Sequence, residues 1–219
     1  MATTHSASAS RPAHATVVPP ARGARHDNDV PAAVDPRALR RCFGRFATGV
    51  TVVTYRCGDE VRGATVNSFT SVSIDPPLVL VSLSRTTHAY RAMEGHPFAI
   101  NVLRSDQMDV AMQFAGRPRA GLRIDWAPVS GEDDPPSLTR AVAVLKCAPW
   151  RRYDGGDHVL EVGEVIDFEH RTGDPLVFSD GKFVSTGLPL LDGPMVFSLD
   201  GPPAPGWVAA AQRFHALSE

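Results

Sequence analysis

With 219 residues, 43% of them hydrophobic and 21% charged, the chain has the size and composition of one globular domain with a sizeable core, or of such a domain with tails. A formal charge of -2 excludes a general pull towards nucleic acid or an anionic membrane. No apolar run approaches the roughly 18 residues of a bilayer span, and no signal-peptide plan opens the chain. The cysteines Cys42, Cys57 and Cys147 are odd in number, widely spaced and outside any CxxC or Cys/His cluster, which argues against a disulfide framework or metal site and for a reducing, cytoplasmic setting.

Residues 1–34 are rich in Ala, Ser, Pro, Thr and His without apolar periodicity, a composition that predicts a disordered leader. Asp35-Pro36 reads as an N-cap followed by proline at the first helical position. Leu39, Cys42, Phe43 and Phe46 then recur at helical spacing, so an amphipathic helix is expected to end near Ala47. Thr48-Gly49 turns into a strand over 49–55 that alternates hydroxyl and β-branched residues, and a hairpin turn at 56–60 feeds a second strand. In that second stretch Thr65, Asn67, Ser68, Thr70, Ser71 and Ser73 are interleaved with Val66, Phe69, Val72 and Ile74. By itself it reads equally as a polar edge strand facing water or as a run of donors for a ligand.

Pro76-Pro77 starts a buried strand over 78–83, and Thr86-Thr87 caps a short helix over 88–94 closed by Gly95. Residues 98–103 form a compact strand with Phe98, Ile100 and Val102 towards the core and Asn101 open to either role. Ser105-Asp106 is expected to cap a helix whose Met108, Ala111, Met112 and Ala115 share a core face. A loop over 116–136 carries Arg117 and Arg119. Strands follow over 141–153, 158–170, 176–179 and 182–184, separated by Gly- and Asp-rich turns. Beyond them a Pro- and Gly-rich extension ends in a short helical stretch whose Trp207, Phe214 and Leu217 are expected to pack onto the domain or a second copy. Long strands joined by hairpins predict a closed barrel or a sandwich, between which the pattern does not choose.

No GxGxxG, Walker loop, GxSxG or HExxH is present, so dinucleotide folds, phosphoryl transfer, serine hydrolysis and zinc proteolysis lack their signatures. What is present is a set of segments in fixed order: RFATGVTVVT, ATVNSFTSVSIDPPLVLVSLS, FAINVL, GGDHVLEVGEV and PLVFSDGKF, covering roughly residues 38–186. Together they resemble the flavin reductase-like family, the small reductase components of two-component flavin monooxygenases.

The resemblance implies a mainly β fold, a split β-barrel with a few short peripheral helices, usually homodimeric. That domain would span 35–186, between the leader at 1–34 and an extension at 187–219. It implies NAD(P)H-dependent reduction of FMN or FAD, with the reduced flavin diffusing to a partner oxygenase or halogenase. Thr48, Val50, Thr51 and Val52 would border the flavin ring, Thr65, Val66, Asn67 and Ser68 would reach its polar edge, and Ser71 and Val72 would approach ring and ribityl chain. Ser82, Ser84, Arg85 and Thr87 would hold ribityl and phosphate oxygens. His158 and Phe183 would meet the nicotinamide nucleotide. No acid–base residue or metal is implied, because hydride passes directly between stacked rings. The rival readings are a flavoprotein with tightly held flavin that reduces a bound acceptor such as ferric iron or a quinone, and a non-catalytic flavin- or haem-binding module.

Overall fold

The computed structural model describes residues 34–131 and 133–187, so the expected leader and extension, apart from Val34 and Gly187, lie outside the described residues. Helix α1 (Pro36–Phe43) begins as its sequence dictates: the Asp35 carboxylate accepts the Arg37 N–H at 2.9 Å and Pro36 occupies the first turn. It stops earlier than expected, at Gly44, and buries none of its residues. Leu39, Phe43 and, beyond the helix, Phe46 stay exposed, so its apolar side is uncovered by the described residues.

Ten strands follow: β1 (Thr48–Gly49), β2 (Thr51–Cys57), β3 (Glu60–Val66), β4 (Thr70–Ile74), β5 (Pro77–Ser84), β6 (Phe98–Val102), β7 (Ala143–Gly155), β8 (His158–His170), β9 (Val177–Ser179) and β10 (Lys182–Val184). Two further short helices, α2 (His88–Ala92) and α3 (Met108–Phe114), interrupt them. Seven strands make one antiparallel sheet in the order β3-β2-β6-β7-β8-β5-β4, and β1, β9 and β10 make a small second one. The β9–β10 turn takes left-handed backbone at Asp180 and Gly181, φ 50 and 76°, as its Asp-Gly sequence expects.

Connectivity decides how the large sheet is shaped. Its outermost strands, β3 and β4, are consecutive in the chain and joined only by residues 67–69. Laid flat, six inter-strand steps of about 4.8 Å would put them roughly 29 Å apart. The link from Val66 to Thr70 reaches at most about 14 Å. The sheet therefore curls until β3 comes against β5, and the Ser68 hydroxyl of the link fastens to β5: Oγ donates to the Ser82 carbonyl at 3.1 Å and accepts the Ser82 N–H at 2.9 Å.

The central strand β6 is covered on both sides. Phe98 and Ile100 join Val53, Tyr55, Val81 and Leu83 in one cluster, as expected, while Ala99 joins Val50, Val52, Leu103 and Val144 in another; Val102 is only half-buried. Asn101 is fully buried and structural: its amide donates to the Val52 carbonyl and Thr54 Oγ1, each at 2.9 Å, and its oxygen accepts the Leu138 N–H at 2.8 Å.

Helix α3 departs from expectation at its start and on its buried side. Its N-cap is Gln107, not Ser105 or Asp106, and Gln107 Oε1 accepts the Arg104 N–H at 2.9 Å. Asp106 is drawn outward by Arg104 and Arg140, and its carboxyl is held below the usual range chiefly by the hydrogen bond from Arg104. Ala111 is buried as expected, but Met108 is 47% exposed and Ala115 is exposed, and Val110 and Phe114 pack inward beside Ala111 instead. Bare backbone at Gly63 admits Phe114, whose Cδ1 would lie 2.8 Å from any added Cβ.

Candidate functional site

The closing of the sheet creates a cleft of about 280 Å³ along the seam between the end of β3 and β5, with Thr65, Asn67 and Ser68 on one side and Ser82, Ser84 and Thr87 on the other. His158 completes it, because β8 pairs with β5 in a register that sets His158 opposite Ser84. A second recess of about 190 Å³ shares Thr65, Val66 and Asn67 with the cleft and is otherwise apolar, lined by Val50, Ala115, Phe178 and Phe183. Phe178 and Phe183 face each other across the β9–β10 pair, edge to face with centroids 5.4 Å apart. A larger recess of about 390 Å³ by Lys146 and Arg171 holds cations already paired with Asp134 and Glu169, which leaves it without a free charge to recruit a ligand.

Most of the hydroxyls that the sequence brings to the cleft are engaged in building it. Thr65 Oγ1 donates to the Ala111 carbonyl at 2.6 Å, tying β3 to α3. Ser84 Oγ lies 2.9 Å from Thr86 Oγ1, and Thr87 Oγ1 donates to the Ser84 carbonyl at 2.7 Å while accepting the Tyr90 N–H at the start of α2. With Ser68 fastened to Ser82, the side-chain polar groups of the cleft left without a partner among the described residues are the Asn67 carboxamide, Ser82 Oγ and His158 Nε2. Thr48 Oγ1, beside the apolar recess in sequence, is buried and also lacks a partner among the described residues.

His158 keeps 41% of its side chain exposed, and its Nδ1 lies 2.7 Å from Asp157 Oδ1, which leaves Nε2 as its second polar atom. The Asp157 carboxyl sits below the ordinary range, first through that hydrogen bond and then through the imidazole's charge. Arg85 reaches over to the turn between β7 and β8: its Nε donates to the Gly156 carbonyl at 2.9 Å, and its Nη2 lies 3.4 Å from Asp154.

Several sequence-predicted residues do not reach the cleft. Thr51 and Val52 are buried, Thr51 Oγ1 donating to the Val66 carbonyl at 3.0 Å and Val52 packing in the second core cluster. Ser71 and Val72 lie exposed on β4, beside its bulge. Phe178, which the sequence did not point to, and Ala115, expected only as helix core, line the apolar recess. The register across the Asp180-Gly181 turn, which sets Phe178 opposite Phe183, is the signal that finds the first of them.

Against known families, a model described as the flavin reductase like domain matches residues 43–187. The chain is 41% identical over 155 residues to SmoA, an NADH-dependent FMN reductase of Agrobacterium fabrum, covering 70% of this chain and 88% of that protein. It is 43% identical over 162 residues to an NADH-dependent FAD reductase of Streptomyces globisporus, covering 68% and 87%. Among solved structures it is similar to BorF, the flavin reductase component of a bacterial two-component tryptophan halogenase, at 41% identity and a TM-score of 0.62, covering 69% of this chain and 98% of that one.

Proposed function

The chain belongs to the flavin reductase-like family, and on that premise we propose that it is an NADH:flavin oxidoreductase that supplies reduced FMN or FAD to a separate oxygenase or halogenase. NADH is the reductant assigned because both curated relatives are named for it, one with FMN and one with FAD. The cleft's chemistry fits a flavin: Asn67 and Ser82 offer unpaired polar groups to its polar edge, and Val50, Val66, Phe178 and Phe183 offer an apolar bed beside them. Thr65, Ser68, Ser84 and Thr87 hold the walls. Bound there, a flavin supplies the redox chemistry by accepting hydride directly from the nicotinamide. No side chain has to move a proton in that transfer. His158 orients the reductant, with Asp157 fixing the imidazole through Nδ1.

The observation that carries this reading is the convergence of His158 with Asn67 and Ser82 at one solvent-open cleft. An open site suits a flavin that enters, is reduced and leaves. Mixing the protein anaerobically with NADH and either flavin should bleach the flavin absorbance at catalytic protein concentrations. Absence of bleaching with both flavins refutes the enzyme reading, and yellow colour that survives gel filtration refutes release. We read residues 35–186 as the catalytic domain and the protein as a cytoplasmic homodimer. The exposure of Ile74 (89%), Phe46 (77%) and Phe168 (71%) supports a second copy covering part of this surface. Among the described residues no helix is long and apolar enough to cross a membrane.

A further inference from the structure

Arg85 lies next to the cleft, yet most of its hydrogen bonds run to one feature outside it, the turn that joins β7 to β8. Its backbone N–H donates to the Asp157 carbonyl at 3.0 Å, its Nε to the Gly156 carbonyl at 2.9 Å, and its Nη2 stands 3.4 Å from Asp154 Oδ1. Asp154 Oδ1 also accepts the Gly156 N–H at 2.7 Å, and Gly156 takes φ 79°, so one carboxylate both shapes the turn and receives the cation. On its other side the guanidinium lies over the Tyr90 ring at 5.6 Å, with Nη1 3.4 Å from the phenol oxygen. The charge is thus committed to the turn and to α2. The residues it holds, 154, 156 and 157, immediately precede His158.

We propose that Arg85 is a positioning residue rather than a phosphate ligand: its planar fork latches the β7–β8 turn to the β5–α2 connection and so sets where His158 stands at the mouth of the cleft. The inference rests on the reading that His158 meets the reductant. Asp154 is the other half of the latch. The Arg85 side chain is 36% exposed and that of Asp154 82%, and such a pair adds little to global stability. Its effect is local, on the orientation of four residues. Lysine keeps the charge but not the fork, so it does not substitute.

The test compares full-length R85K and D154N with the parent protein. Amide hydrogen exchange at 156–158 should quicken in both variants while the melting temperature stays nearly unchanged. The KM for NADH should rise about tenfold in both, with kcat and the KM for FMN each within about twofold of the parent, because a misplaced binding group weakens reductant capture. Riboflavin, which lacks the phosphate, should behave as FMN does in every variant. An R85K protein whose KM rises for FMN but not for riboflavin identifies a phosphate ligand and overturns the proposal, as does unchanged exchange or an unchanged KM for NADH in both variants. If the parent protein bleaches no flavin, the functional reading fails on its own, and the exchange data alone then decide whether Arg85 holds the turn.

Discussion

Replacing Arg152 with methionine isolates the most heavily desolvated charge in the described fold. Glu161 is 1% exposed and points into the barrel from β8, where the Arg152 guanidinium, opposite it on β7, donates to its carboxylate. Arg152 also donates to the Tyr90 carbonyl at 3.0 Å and lies over the Tyr90 ring at 5.6 Å, so the pair seats α2 on the end of the barrel. Methionine retains most of the stem's packing but leaves the carboxylate buried and unpaired, which costs about 3–5 kcal/mol. For a domain of this size that corresponds to a fall in melting temperature on the order of 10 °C. Burial raises the Glu161 carboxyl above its ordinary value, and the Arg152 charge and hydrogen bond oppose the rise. A carboxyl raised on folding gives its stabilising contribution below the unfolded pKa of about 4.5 and loses it as pH climbs through the folded value. Without Arg152 the folded value rises further, so the variant's deficit should be largest in alkaline buffer and shrink on acidification. Urea unfolding across that range measures this, and adding Glu161→Leu to the variant should recover part of the loss. A loss under about 1 kcal/mol, or a deficit equal at all pH values, refutes the assignment.

Two further substitutions test the packing and the site. Gly163→Ala would set a Cβ 2.6 Å from Phe98 Cζ and 2.8 Å from Cys147 Cβ, both residues fully buried. It should destabilise by about 1–3 kcal/mol in calorimetry, whereas Gly49→Ala, with nothing within 4 Å, should not; equal melting temperatures would refute the packing argument. His158→Ala should raise the KM for NADH about tenfold while leaving that for flavin nearly unchanged. Comparable rises in both would remove His158 from reductant binding.

Strands and turns were legible because their chemistry is local. Strand β8 has the bounds its sequence expects, His158–His170, and the Asp180-Gly181 turn takes the backbone its residues favour. Helix α3 was less legible because its start is decided from outside: Arg104 and Arg140 claim Asp106, and Gly63, far away in sequence, selects Phe114 as the inward residue. At the cleft, the alternation of hydroxyls was visible, but which of them remain available was not. That depends on pairings across the seam and onto α3, as Ser68 with Ser82 and Thr65 with Ala111 show. Asn101 gave no cue to its three buried hydrogen bonds, because its partners come from β2 and a distant loop.

The three-residue link between β3 and β4 has an architectural corollary. A hairpin or half-sheet cut from this chain would carry many of the same side chains yet enclose nothing, because the hollow at Asn67 and Ser82 exists only where the curl of the whole sheet brings the end of β3 against β5. The cleft is a property of closure. Loosening of any strand pair around the circumference should therefore be felt at the mouth of that cleft.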